Sequence, residues 1–99
     1  MKLLPAKDVE ELVPVTFDFA PALADGATVT PQAVTVEVYS GTDANPAALL
    51  YGAPIASGAS VVQWIVGGVD GVRYKLRCRA QTSGGQVLVL AAKLSVTRF

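Results

Sequence analysis

Histidine is absent from this 99-residue chain, and cysteine occurs once, as Cys78. The first absence removes the usual general base for a serine or cysteine nucleophile and the commonest nitrogen ligand for zinc. The second rules out an internal disulfide, so folding asks for no oxidising compartment. Charge is scarce as well: 16% of residues are charged and 52% are hydrophobic, a composition that leaves apolar surface for a partner. Eight basic and eight acidic residues cancel, so no net field draws the chain to nucleic acid or to an anionic membrane, and neither is expected as a partner. Long hydrophobic runs are missing too. The longest, Val87 to Ala92, falls far short of the ~20 residues of a membrane span. MKLLPAKDVEEL has two leucines before Pro5 and no cleavage pattern, so it does not read as a signal peptide, and synthesis in the cytoplasm is expected.

No catalytic set assembles from what remains. Asp8, Glu10 and Glu11 lie in a polar N-terminal segment without an enclosing pocket, and read as solvated charge rather than a cation site. Gly67-Gly68 and Gly84-Gly85 lack the Lys, the Ser or Thr and the helix start of a phosphate loop, so they read as turns. The expectation is a protein that is no enzyme, with no catalytic residue, metal ligand or cofactor.

What the chain does have is alternation. In VPVTFDF, Val13, Val15, Phe17 and Phe19 alternate with Pro14, Thr16 and Asp18, the period of a strand with one dry face. Pro14 has no amide hydrogen to donate, which places that strand at an edge. Pro21 and Asp25-Gly26 mark a loop and a turn, and a second strand is predicted over about Ala33 to Tyr39. Ser40 to Ser60 is irregular: Asn45 and Pro46 suit a short helical turn, whereas Ala48 to Tyr51 suits a short edge strand, and the sequence leaves both open. Ser60 to Val66 is strand-like with two apolar faces, which implies burial on both sides or a partner on one. Trp64, the lone tryptophan, is expected in the core, as is usual for a small β-domain.

The cleanest alternation runs through VRYKLRCRAQ. Val72, Tyr74, Leu76, Cys78 and Ala80 form one face, and Arg73, Lys75, Arg77, Arg79 and Gln81 the other. Thr82 to Gly85 then turns the chain back into a closing strand, QVLVLAAKLSVT. The basic stripe reads either as a solvated strand face or as a contact for an acidic protein; no aromatic side chain shares that face, which argues against stacked bases. Charge is also uneven along the chain. Through Leu50, Asp8, Glu10, Glu11, Asp18, Asp25, Glu37 and Asp43 outweigh Lys2 and Lys7, whereas from Tyr51 onward the four stripe residues, Lys93 and Arg98 face Asp70 alone. Cross-strand pairing within the domain accounts for such an asymmetry, and so does docking of one copy on the next.

Strands with turn signals between them predict an all-β fold, an antiparallel sandwich of about seven strands, over residues 13–99. Residues 1–12 are expected as a flexible arm, because Pro5 breaks regular structure and Lys7, Asp8, Glu10 and Glu11 prevent a buried face before Val13. Leu3, Leu4, Val9 and Leu12 are more apolar than a solvated tail requires. They are therefore candidate protein contacts, expected to order on a neighbouring subunit while the arm's acids approach the basic stripe of the next copy.

DGVRY, Asp70 to Tyr74, sets an Asp four residues before a Tyr at a strand start, as in the tyrosine corner of immunoglobulin-like sandwiches, a structural device. Taken with VPVTFDF, ADGATVT, TVEVYSGTDANP and GGVDGVRYKLRCRAQTSGG, it gives a chain that, from about Val13 to Val96, resembles a family of small tailed-bacteriophage virion proteins, the fibre-tail adaptor type with an immunoglobulin-like fold. The resemblance implies a non-enzymatic structural protein of the virion, present in many copies and docking on tail, collar or fibre components. Related small sandwiches also serve as head decoration or head-tail joining proteins. A carbohydrate- or cell-surface-binding module is the alternative from another class, on the same scaffold.

Overall fold

The computed structural model describes residues 2–23 and 26–99. The strands are β1 (Lys2–Leu3), β2 (Lys7–Asp8), β3 (Leu12–Asp18), β4 (Val29–Ser40), β5 (Leu50–Ser57), β6 (Ser60–Val66), β7 (Arg73–Thr82) and β8 (Val87–Thr97), with 3-10 turns at Ala20–Ala22 and Pro46–Leu49. Alternation sorts them into two sheets. The larger has the order β1-β8-β7-β4, with β2 also on β8, and the smaller has the order β3-β6-β5. Their dry faces form one core, in which Val15, Phe17, Phe19, Val61 and Ile65 meet Tyr74, Leu76, Cys78, Ala80, Ala92, Leu94 and Val96.

Several expectations hold in detail. Pro14 lies in β3, an edge strand. Tyr74, Leu76, Cys78 and Ala80 are fully buried while Arg73, Arg77 and Arg79 are exposed. The β7–β8 turn closes where Thr82 and Gly85 were expected to do so: the Gly85 amide donates to the Thr82 carbonyl, and Gly85 takes φ +89°, a conformation free of strain only without a Cβ. Both readings of the irregular segment are realised in succession, a 3-10 turn with Pro46 in its first positions and then β5 from Leu50. The Asp25-Gly26 turn lies partly outside the described residues.

Two expectations differ from the structure. The segment before Val13 is not a free arm. Lys2 and Leu3 pair in parallel with Ala92 and Lys93, and Lys7 and Asp8 with Val96 and Thr97, so both short strands lie on the edge of β8. One extra residue between the two pairings places Pro5 in a bulge, where its missing N–H costs no ladder bond. Lys7, expected to keep the segment wet, is 2% exposed; its ammonium donates to the carbonyls of Gly67 (2.7 Å) and Asp8 (2.8 Å), which makes the burial tolerable.

Trp64 is the second difference. It is 38% exposed, on the outer face of the smaller sheet, and its neighbour Gln63 points inward instead. The reason is a bulge in β5 between Tyr51 and Ile55. The Gln63 amide nitrogen donates to the carbonyls of Gly52 (3.0 Å) and Trp64 (2.8 Å) beside that bulge, so this end of the buried side chain is satisfied, while its Oε1 has no partner among the described residues, and the indole takes the outside.

Candidate docking faces

The larger sheet turns the basic stripe outward as one row on β7. Across from it, β4 sets Glu37 opposite Lys75, Thr35 opposite Arg77 and Ala33 opposite Arg79; on the other flank, β8 sets Lys93, Ala91 and Val89. Lys75 and Glu37 form an ion pair at 3.6 Å, the one ion pair among the described residues. Arg73, Arg77 and Arg79 therefore have no acidic partner among the described residues, and cross-strand pairing accounts for little of the charge asymmetry. Lys93 extends the cationic strip. Its ammonium sits 4.0 Å from the centroid of the Tyr39 ring and donates to the Tyr39 hydroxyl at 2.9 Å, and this bond together with its charge lowers the phenol's pKa. Leu3, opposite Lys93 and 75% exposed, adds an apolar corner.

The smaller sheet presents the opposite chemistry. Pro14, Trp64 and Tyr51 stand in one cross-strand row, Thr16, Val62 and Ile55 in the next, and Leu12 with Val66 in a third. Leu12, Tyr51, Ile55 and Trp64 are all exposed, and no charged side chain lies within the three rows. Beyond them Asp18 stands opposite Ser60, but three uncharged rows bearing a Trp and a Tyr side by side have the composition of an interface centre rather than of a solvated surface.

The remaining candidates are structural in placement. Leu4 and Val9 pack against the core, held by amide bonds from Leu4 to the Lys93 carbonyl and from Val9 to the Thr97 carbonyl. Two of the arm's three acids are engaged within the chain: Asp8 accepts the amides of Glu10 (2.8 Å) and Phe99 (2.7 Å), which lower its pKa, and Glu11 accepts the Asp8 amide. Tyr74 is fully buried, and its hydroxyl accepts the Val69 amide (2.9 Å) and donates to the Asp43 carboxylate (2.7 Å). The corner is thus closed by Asp43, thirty-one positions upstream. Asp70, the acid of the DGVRY motif, instead accepts the Arg98 amide and fastens the end of β8.

Residues 7–95 match the family model of the podophage GP4 fiber-tail adaptor protein gp77. The chain belongs to that family. Among curated proteins no match is found. Membership in the fiber-tail adaptor family makes the sandwich a structural component of a phage tail, whose work is contact with other tail or fibre proteins. For such an adaptor the two outer faces are the surfaces to account for. For the aromatic one the sequence left open burial on both sides of Ser60 to Val66 or a partner on one, and it placed Trp64 in the core; the signal that decides is the register Pro14–Trp64–Tyr51, which exists only once three strands pair.

Proposed function

We propose that this adaptor joins two virion proteins through its two opposed sheet faces, one by charge and one by apolar contact, as a non-enzymatic connector present in several copies and with an immunoglobulin-like fold. The observation that carries the reading is the chemical opposition of those faces: Arg73, Lys75, Arg77 and Arg79 on the outside of one sheet, and Pro14, Tyr51, Ile55 and Trp64 on the outside of the other. The cationic face fits an acidic protein surface. The aromatic face fits an apolar one, and suits it better than a sugar, because Pro14, Val62, Val66 and Ile55 around Trp64 and Tyr51 offer no side-chain hydrogen bond and Thr16 is the one hydroxyl beside them to orient a sugar.

The test is incorporation into particles. Arg77→Glu with Arg79→Glu is expected to fold normally, since exposed charges contribute at most ~1 kcal/mol to stability, and to be lost from purified virions. Trp64→Ala is expected to weaken binding on the other face by about 2 kcal/mol or more. Virions that take up both variants at the parental level would rule the reading out.

A further inference from the structure

Among the described residues, every sheet edge but one holds a proline, either within its strand or between its strands. Pro14 lies in β3, Pro31 in β4 beside a register shift, Pro54 in the β5 bulge, and Pro5 between β1 and β2. Proline and bulges on an edge deny a ladder to any foreign strand. The exception is the first half of β8. β1 and β2 cover its edge from Ala92 to Thr97, whereas Val87 to Leu90 have β7 on one side and no strand on the other among the described residues. That stretch, VLVL, alternates β-branched valine with leucine and is wholly apolar, without a proline or a charge.

Its backbone is open for pairing. The carbonyls of Lys93 and Thr97 accept amides from the β1–β2 side, while the Val96 amide donates to Val72 on the β7 side. Pairing with β7 is regular from Val87 to Ser95, so strand alternation turns the N–H and C=O of Val87 and Val89 toward the open edge. Burial follows the same division. Ala92, Leu94 and Val96, the inward residues where β1 and β2 lie alongside, are buried, but Leu88 and Leu90, inward residues of the uncovered half, stay half-exposed. Next to them a groove of about 460 Å³ runs between the two sheets, lined by Thr16, Phe17 and Asp18 of β3 and by Val89, Leu90 and Ala91 of β8.

We propose that this half of β8 is a strand-acceptor site, which takes an extended segment of a neighbouring virion protein as an additional edge strand in line with β1. The added strand would place apolar side chains at alternate positions over Leu88, Leu90 and Phe17, and its other side chains on the outer face of the larger sheet. There Arg79 stands beside Val89 and Arg77 beside Ala91, short side chains over which two guanidinium groups reach the newcomer. The segment that fits is therefore apolar on one side and acidic on the other. The proposal rests on the adaptor reading only for the source of the strand.

Val89→Pro tests it. The Val89 amide faces the open edge and its side chain faces solvent, so proline there blocks strand addition without breaking the β7 ladder; Val89→Ala keeps the amide. Val89→Pro is expected to melt close to the parent and to be absent from purified virions, with Val89→Ala incorporated normally. Hydrogen exchange on the unaltered protein gives a readout independent of any variant. The segment Gln86 to Leu90 is expected to exchange at least about tenfold more slowly in the virion than in the free protein. Equal exchange in the two states, parental incorporation of Val89→Pro, or concentration-dependent protection of the free protein through pairing with itself would each overturn the proposal. Should Val89→Pro enter virions that exclude the Arg77/Arg79 variant, the adaptor reading stands and strand addition falls.

Discussion

Tyr74 and Cys78 lie on the same buried face of β7, and burial acts on both in the same direction. Desolvation raises the Tyr74 phenol to about 12, with help from its bond to Asp43, and raises the Cys78 thiol to about 11. Both values exceed those of the unfolded chain, 10.0 and 9.0, so the native state holds protons that the unfolded state has released. Their contribution to stability is complete below about pH 9 and is lost as pH rises from 9 to 12. Lys7 acts with the opposite sign. Its pKa is lowered by desolvation against the pull of Glu11 and Asp8, so the penalty of its buried charge relaxes as pH approaches 10.5. The expected net result is a falling urea midpoint above pH 9. For Cys78 alone the loss is about 2 kcal/mol by pH 11, and Cys78→Ala should flatten the profile between pH 9 and 11. An unchanged profile in that variant would show that the thiol does not titrate with unfolding.

At the scale of elements, the β6–β7 connection shows how closely the two sheets approach. Gly68 takes φ +99°, and a Cβ there would lie 2.8 Å from a methyl of Val96 and 3.3 Å from Leu49. Strain and overlap together predict that Gly68→Ala costs about 2 to 4 kcal/mol in chemical denaturation. Gly84→Ala is the control: its φ is not positive, the nearest atom is the Thr82 hydroxyl at 3.8 Å, and no measurable loss is expected. The N-terminal strands make a second case. They are short, but Leu4 and Val9 donate to β8 and Lys7 is fixed beneath them, so their amides should be protected in the isolated protein. Exchange of Leu4 and Val9 at the rate of an unfolded peptide would instead support an arm that orders only on assembly.

For the whole molecule, an extent of 41 × 21 × 19 Å separates the ends of a slim sandwich whose two broad sides differ in chemistry. A joint that uses the cationic side should weaken with salt, because exposed charges are screened beyond ~8 Å at physiological ionic strength. A joint that uses the aromatic side should not, since burial of Trp64 and Tyr51 is apolar. Titrating salt against purified virions is expected to release one neighbour of the adaptor before the other. Simultaneous release of both would place the same kind of contact on the two sides.

Period-two patterning determined most of what the sequence alone fixes here. The inward and outward sets of β3 and β7, the edge position of the Pro14 strand, the glycine-dependent hairpin and the burial of Cys78 all follow from alternation and local backbone chemistry. The stripe was legible for the same reason, because charge on every second residue has a single wet face to occupy. Where both faces of a segment are apolar, as from Ser60 to Val66, alternation carries no sign, and only the β5 bulge, by giving the buried Gln63 amide carbonyls to donate to, decided that Trp64 should face out. The arm was hidden for a related reason: Lys7 counts as a solvated charge until the Gly67 carbonyl, sixty residues away, arrives to accept its hydrogen bond. Tyr74 could be placed by its motif, but its partner Asp43 could not. Contacts between residues distant in the chain belong to the tertiary structure, because the desolvation that makes them necessary exists only after the two sheets have closed on each other.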